Sequence, residues 1–462
     1  MRGLLSIIGD PGRVVFGDIE ARYLSDGLGR LRGEASALVF PLTTGEVSAV
    51  LRWAHQNRVP VTPRGAGTNL VGSTVPHGGI VLDLSRMNRI TELDADTFTV
   101  TAEPGVLLRD LQAYVEERGF FYPPDPGEKA SSIGGNIATN AGGMRAVKYG
   151  VTRDYVRGLE VVLADGEVLN LGGKCVKDAS GLSLKNLIVG SEGTLAVITR
   201  CVLRLLPRPE TAVSAVVCCR SLSDGIRGVL RILHENLDPT AVEFVERKVV
   251  ELGEAYSGLR FPRPDAGSYI LLTFDGDGAA VRAHLEKARR LTLAGGALDF
   301  VVLDDPGAAA GVWKVRGALV KAVEAVSEQE PVDIVVPISR TADFIAYVNA
   351  LEQSSGVRMV SFGHAGDGNV HLCVVRGSRS QAEWDSVHQK HLPQVYGKAY
   401  ELGGLASGEH GVGLSKRAYF LRNTERKNLL AMNRIKDALD ARHILNDGKS
   451  YIFKEEAHAQ AR

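Results

Sequence analysis

Two stretches of this 462-residue chain constrain its fold more than any other feature: Pro63 to Gly79 and Gly127 to Gly143 are rich in Gly, Pro, Ser and Asn. Each lies between well-patterned elements. The first contains PRGAGTNLVGS, in which Gly65 and Gly67 bracket a tight turn. Glycines let successive backbone N–H groups converge, as a pyrophosphate requires, although plain turn chemistry reads the same way. Leu70 stands where a dinucleotide fingerprint would need its third glycine, and no Gly-Lys-Ser/Thr follows to make a P-loop. The second stretch belongs to YPPDPGEKASSIGGNIATNAGG, Tyr122 to Gly143. A segment so small and polar cannot be core. It is either an irregular surface loop or a loop ordered by a long bound cofactor, with Gly134-Gly135 at phosphate and Asn136 and Asn140 as hydrogen-bond partners.

The flanking pattern is helix alternating with strand. Thr43-Thr44-Gly45-Glu46 reads as a capping box opening a helix with Val47, Val50, Leu51 and Ala54 on one face. A second helix is expected over 107–118, stopping at Gly119. Strands are expected over 37–40, 79–84, 97–102, 159–163 and 197–206. Residues 31–207 therefore form one α+β domain whose glycine loops face a ligand, after an N-terminal segment 1–30. Beyond the Pro-bearing segment 206–210, strand-like and helical runs continue as a second α+β domain, 208–410, with an antiparallel or mixed sheet. Helical stretches in 411–462 end at HILNDGKSYIF.

Bulk properties exclude several classes. Lys plus Arg equals Asp plus Glu, 54 each, so no global field recruits nucleic acid or an anionic membrane. The five cysteines lack CxxC spacing, so neither a disulfide framework nor an iron–sulfur site is expected, and a reducing compartment fits. No segment approaches the ~20 apolar residues of a membrane span, and the N-terminus is too short in apolar residues for a signal peptide. The cytoplasm is the expected location, with peripheral membrane contact through a redox partner left open.

SFGHAGDGNVH, Ser361 to His371, carries the chemistry. It puts His364 and His371 on two arms of a hairpin, and GEHG at Gly408 to Gly411 adds Glu409 and His410. Two imidazoles and a carboxylate make a divalent-metal site with positions left for substrate, and a spare histidine beside it can move a proton. Asp367 is an alternative ligand, though Asp-Gly is first of all turn chemistry. His₂Glu suits Zn²⁺, with Mn²⁺ or Fe²⁺ as alternatives.

These motifs in this order, together with DGLG near Asp26, KYG, GSEG at Gly190 to Gly193, WKVR at Trp313 to Arg316, GEHGVG and ILNDGK, resemble the FAD-linked oxidase family. That family includes the FAD-linked subunit of glycolate oxidase, cytochrome-type D-lactate dehydrogenase and D-2-hydroxyglutarate dehydrogenase. The resemblance implies a split FAD-binding domain of the vanillyl-alcohol-oxidase (PCMH) type in two α/β subdomains. It adds an α+β cap with a ferredoxin-like mixed sheet, and a C-terminal segment that packs back on the FAD domain. By carry-over, Arg64, Gly65, Ala66, Gly67, Thr68 and Asn69 wrap the pyrophosphate. Pro124, Asp125, Ser132, Gly135, Asn136, Ala138, Gly142, Glu192 and Ile198 line the rest of FAD, and Asn446 reaches it from the C-terminus. Relatives with covalent flavin carry a His near the position of Thr68, so FAD is expected to be noncovalent.

The implied reaction is oxidation of a small 2-hydroxy acid to the 2-oxo acid, with a metal acidifying the hydroxyl, His410 as general base and Arg316 clamping the substrate carboxylate. A surface Arg after a buried Trp313 is the plainer reading of Arg316. Some relatives carry a hydroxyl one helical turn after this Arg and a Lys before the following Asp-containing strand. Val320 and Pro331 stand there in this chain, which favours D-lactate or glycolate over the dicarboxylate D-2-hydroxyglutarate. An alkyl-glycerone-phosphate synthase-like transferase and a non-catalytic flavin subunit are the rival classes. With no iron–sulfur cysteines, electrons must leave to a separate acceptor: an iron–sulfur subunit, an electron-transfer flavoprotein, a quinone or a cytochrome. A homodimer is left open.

Overall fold

The computed structural model describes residues 3–452. Met1 and Arg2 of the N-terminal stretch, Phe453 of the HILNDGKSYIF segment and the residues after it lie outside the described range. Three principal sheets organise the chain. The first has four strands in the order Val14–Phe16, Ala37–Val39, Ile80–Asp83, Val61–Arg64, antiparallel at the first pairing and parallel at the other two. Its core joins Leu4 and Ile8 to Val47, Val50, Leu51 and Ala54, so the residues before the first glycine loop are part of this layer.

The helix Thr44–Asn57 begins as expected, with the Thr43 side chain accepting from Glu46 N at 3.2 Å, but the box is not reciprocal. Glu46 instead accepts from Leu42 N at 2.8 Å and takes both ends of the Arg13 guanidinium at 2.6 and 2.9 Å. A bidentate Arg outcompetes a single backbone N–H for a carboxylate.

The second sheet is antiparallel with five strands: Ile90–Asp94, Thr99–Ala102, Val197–Arg204, Val156–Val162 and Val168–Gly172. Helix Leu108–Glu116 buries Leu108, Leu111 and Val115 against it. The third sheet has seven strands in the order Asp299–Val302, Thr211–Cys219, Ser268–Gly276, Ala241–Glu246, Met359–His364, Asn369–Val375, Gln329–Val335. Every pairing in it is antiparallel.

Helices cover both faces of this seven-stranded sheet. Leu222–His234, Gly278–Ala294, Thr341–Ser355 and Gln381–Glu401 pack on one, Arg247–Ser257 and Pro306–Val326 on the other. Side chains alternate along a strand, so Val242 and Phe244 join the first core and Val245 the second. Val360, Phe362, Cys373 and Val375 face the same way as Val245, toward helix Pro306–Val326. By the same period of two, Glu243, His364, His371 and Asp333 project to that face. The charged groups are thus the continuation of an apolar face.

Two contacts tie the large sheet to the rest. Asp275 holds Lys148 Nζ at 2.8 Å and Tyr149 Oη at 3.0 Å, so the KYG motif is a latch between layers. Arg30 reaches Glu330 at 3.1 Å. The C-terminal strand-like end docks on the first sheet through Val61 N to Ile444 O, 2.7 Å, and Asn446 N to Val61 O, 3.0 Å. Among the described residues no helix is long and apolar enough to cross a membrane.

Candidate flavin and metal site

A cavity of about 890 Å³ runs from the glycine loops to the histidine hairpin. Arg64, Gly65, Ala66, Gly67, Thr68, Asn69, Ser132, Gly135, Asn136, Ala138, Glu192, Ile198 and Asn446 all line it. At the other end stand Arg316, His364, His371, Glu409 and His410. Sequence segments far apart in the chain therefore converge on one space.

The flavin end is built by removing atoms. A Cβ on Gly65 would run into the Ser132 hydroxyl, and Gly67 adopts φ +75°, where a Cβ would run into the Arg64 guanidinium. Arg64 itself is turned away, donating to Ser25 O at 3.1 Å and Arg22 O at 2.6 Å. Asn69 organises its own loop, accepting from Val71 N and Ser73 N at 3.1 and 2.9 Å. Its amide donates to His410 O at 3.3 Å, which links the first glycine loop to the GEHG segment. The Glu192 carboxylate accepts from Val412 N, Gly413 N and Ser450 Oγ at 3.0, 2.9 and 3.0 Å, and from the Ser73 hydroxyl.

Four residues expected at the cofactor do not line the cavity. The Asp125 carboxylate pairs with Lys129 and lies 3.7 Å from Arg145, so its charge is spent inside its own loop. Pro124 offers its carbonyl to Gln112 at 3.2 Å. Their neighbours Pro126, Gly127 and Glu128 line the space instead. Asn140 caps a helix at φ 51° and accepts from Arg153 N at 2.9 Å. Gly142 faces the other site: a Cβ there would lie 3.2 Å from Glu409 Oε2.

The hairpin brings the two imidazoles together as its spacing predicts. His371 pairs with Phe362, two residues before His364, so both rings share one face, and their Nε2 atoms are 3.3 Å apart. Glu409 lies 3.4 Å from His371 Nε2 and 3.9 Å from His364 Nε2. One ligand atom from each of the three falls within 4.8 Å of the others. Asp367 accepts from Asn369 N at 3.0 Å and closes the turn, outside this cluster. His410 stacks on His371 with ring centroids 5.6 Å apart, its Nε2 3.7 Å from Glu409 Oε1.

Two fully buried carboxylates that the motifs do not include hold this end in place. Glu243 stands directly across from His364 in the sheet, and its Oε1 takes His364 Nδ1 at 2.5 Å. Its Oε2 accepts from Arg316 Nε at 3.1 Å and Nη2 at 2.5 Å. Asp333 accepts from the backbone N–H groups of Gly408, Glu409 and His410 at 3.2, 3.2 and 3.0 Å. It also takes Ser407 Oγ at 2.8 Å, Asn369 Nδ2 at 2.7 Å and Lys416 Nζ at 2.8 Å. The GEHG loop is therefore wrapped around one carboxylate.

Electrostatics follow from this packing. Burial opposes charge on His364, but the Glu243 carboxylate beside it and Glu409 hold its imidazole well above the usual histidine range. Burial pushes His371 the other way, down to about 3. Burial would raise Glu409 too, yet the histidines around it hold it down at about 2. Asp333 is desolvated, and Lys416 and His410 keep it well below the ordinary carboxylate range.

The residues fit the groups the motifs imply. The glycine-lined cavity lies within the ~300–1,000 Å³ of ligand sites. At the cluster of His364, His371 and Glu409, Glu409 Oε2 is buried with no hydrogen-bond partner among the described residues. His364 Nδ1 faces a carboxylate, the usual arrangement of a metal-binding histidine, in which a metal would take Nε2 and displace the proton that Glu243 and Glu409 otherwise favour there.

The sequence matches the model of the FAD binding domain over residues 35–172 and that of the FAD linked oxidases, C-terminal domain, over 208–450. The chain belongs to the FAD-linked oxidase family. It is 41% identical to "D-lactate dehydrogenase" of Anaerostipes hadrus, covering 95% of this chain and 94% of that protein. It is 37% identical to "Glycolate oxidase subunit GlcD" of Bacillus subtilis, covering 93% and 92%. The fold is that of p-cresol methylhydroxylase, whose substrate-bound crystal structure superposes with a TM-score of 0.79 at 17% identity, over 98% of this chain and 96% of that one.

Proposed function

We propose that this chain oxidises a small 2-hydroxy acid, D-lactate or glycolate, to the 2-oxo acid. The observation that carries the reading is the cluster of His364, His371 and Glu409, with His410 beside it, at the end of a glycine-walled cavity. Relatives named for D-lactate and glycolate support the substrate class. Arg64 to Asn69, Ser132, Gly135, Asn136, Ala138 and Asn446 would hold FAD noncovalently, and the His₂Glu cluster would hold Zn²⁺, or Mn²⁺ or Fe²⁺. When bound, the flavin supplies a hydride acceptor and the metal a Lewis acid for the hydroxyl.

The chain's own residues supply the rest. His410, half-buried and stacked on His371, accepts the hydroxyl proton as general base. Arg316, already oriented by Glu243 through Nε and Nη2, presents its remaining Nη1 to the substrate carboxylate. Val320 and Pro331 line the cavity beyond it and offer no partner to a second carboxylate, so monocarboxylates are favoured over D-2-hydroxyglutarate. Among the described residues no cysteines are spaced for an iron–sulfur site, so the electrons taken up by bound FAD would need a separate acceptor. A cytoplasmic setting agrees with five free thiols.

The test is anaerobic bleaching of the oxidised flavin by glycolate, D-lactate, L-lactate, D-2-hydroxyglutarate and D-malate in turn, before and after chelation. Bleaching by D-lactate or glycolate, lost with chelator, is expected. Bleaching indifferent to chelator demotes the metal cluster to structure. A yellow protein that no acid bleaches overturns the reading.

A further inference from the structure

Glu243 is one of two buried carboxylates at this site that no motif carries, and it touches His364 and Arg316 at once. It sits on strand Ala241–Glu246, paired in register with His364 of the neighbouring strand, so the backbone sets their separation. The side chain is wholly buried and divides its oxygens: Oε1 to His364 Nδ1, 2.5 Å, and Oε2 to Arg316 Nε and Nη2, 3.1 and 2.5 Å. Arg316 arrives from a different element, the helix Pro306–Val326, with its guanidinium 4.9 Å from the Phe362 ring centroid.

Resting on the reading of a metal-assisted hydroxy acid dehydrogenase, we propose that Glu243 is a positioning residue that sets the metal ligand His364 and the carboxylate clamp Arg316 together, so that metal affinity and substrate-carboxylate affinity depend on one side chain. The chemistry is specific. A carboxylate acceptor holds a proton on Nδ1, so a metal that binds the ring takes Nε2, the nitrogen that faces His371 and Glu409. The same carboxylate engages two nitrogens of the guanidinium fork and fixes the direction in which Nη1 points. If Glu243 served only to neutralise a buried Arg, it would have no reason to place its other oxygen on the histidine ring.

Glu243→Gln tests this, because an amide can serve only one partner. With its NH₂ toward His364, the ring must move its proton to Nε2 and lose its ligand lone pair. With its NH₂ toward Arg316, donor faces donor. Two readouts are taken. Metal affinity of the flavin-loaded, metal-stripped chain is measured by competition with a chromogenic chelator for Zn²⁺. Carboxylate affinity of the same metal-free chain is measured from the shift in the flavin spectrum on adding pyruvate. Metal affinity is expected to fall about 10- to 100-fold, and pyruvate affinity to fall by at least tenfold.

Loss of one affinity with the other unchanged overturns the coupling, as does loss of thermal stability alone. If Glu243→Gln does not fold, Glu243→Asp keeps the charge but is one methylene shorter, and is expected to lower both affinities by smaller factors. Unchanged affinities in that variant overturn the proposal. A native chain that takes up no Zn²⁺ overturns the metal reading itself, and that result is obtained before any variant is made.

Discussion

The two ends of the cavity are built on opposite principles. At the flavin end the walls are glycine, small hydroxyl and amide, and what matters is the absence of atoms: a Cβ on Gly65 or Gly67 would collide with Ser132 or Arg64. At the histidine end the walls are charged side chains, and what matters is that each charge has a partner. Glu243 serves a histidine and an arginine, and Asp333 serves a lysine and three backbone N–H groups. The first end should therefore be sensitive to added volume and indifferent to charge. The second should tolerate a change of shape better than a lost charge.

The sharpest break of that comparison is at His410, the group proposed to move the proton. His410→Ala is expected to lower the rate of flavin reduction by about 10²–10⁴-fold, with flavin content and bound metal unchanged. The ring makes stacking and electrostatic contacts but carries no loop, so stability should hardly move. Stopped-flow reduction with D-lactate and metal analysis of the same sample check this. A loss below tenfold would assign the proton to another group.

Asp333→Asn comes next. It leaves Lys416 buried beside a neutral amide and turns one of the two oxygens that accept from Gly408, Glu409 and His410 into a donor. Removing one member of a buried pair costs about 3–5 kcal/mol, to be read by denaturant unfolding of the flavin-loaded chain. The pH dependence has a definite sign. Because the folded carboxyl titrates well below its unfolded value of 3.8, the stability it contributes is present above that value and lost as pH falls through the lower folded one. The native chain should lose stability steeply below about pH 4, and the Asn variant, already weaker at neutral pH, should lose less over the same interval.

How much of this was legible in the sequence follows from the same contrast. The glycine end is local in the chain: PRGAGTNL and SSIGGNIATNAGG each form a continuous loop, and composition alone marks them as places where backbone approaches something. The histidine hairpin is local too, because a strand period of two and a short turn fix which rings meet. Glu243 and Asp333 are not local. Each is a single acid within an apolar run, AVEFV and VDIVV, and its role is set by cross-strand register that no short motif records. One signal was present: an acidic residue inside a buried strand is rare unless it is paired. The long helix Pro306–Val326, which delivers Arg316, was also signalled by Asp305-Pro306. The Asp305 side chain accepts from Ala308 N, and Pro306 takes the first turn. Asp125, Gly142 and Asn140 stand off the cavity wall for the converse reason. They share a loop with true wall residues, and their side chains or Cα face inward to Lys129, Glu409 and Arg153.

The smallest expected effect tests the glycine end, and it asks whether volume alone matters there. Gly65→Ala adds one methyl group pointed at the Ser132 hydroxyl, which already accepts from Ala66 N at 3.2 Å. No charge changes and no hydrogen bond is removed outright. The loop must open or Ser132 must rotate, an overpacking cost of about 1–3 kcal/mol. That cost falls on the state in which both loops close on FAD, so the flavin-to-protein ratio after purification should drop while the flavin-free chain keeps its melting temperature. Gly65→Ala combined with Ser132→Ala removes the opposing oxygen and should restore part of the flavin. If the single variant holds flavin fully, the loop has room to spare, and the cavity's two ends do not differ in the way their walls imply.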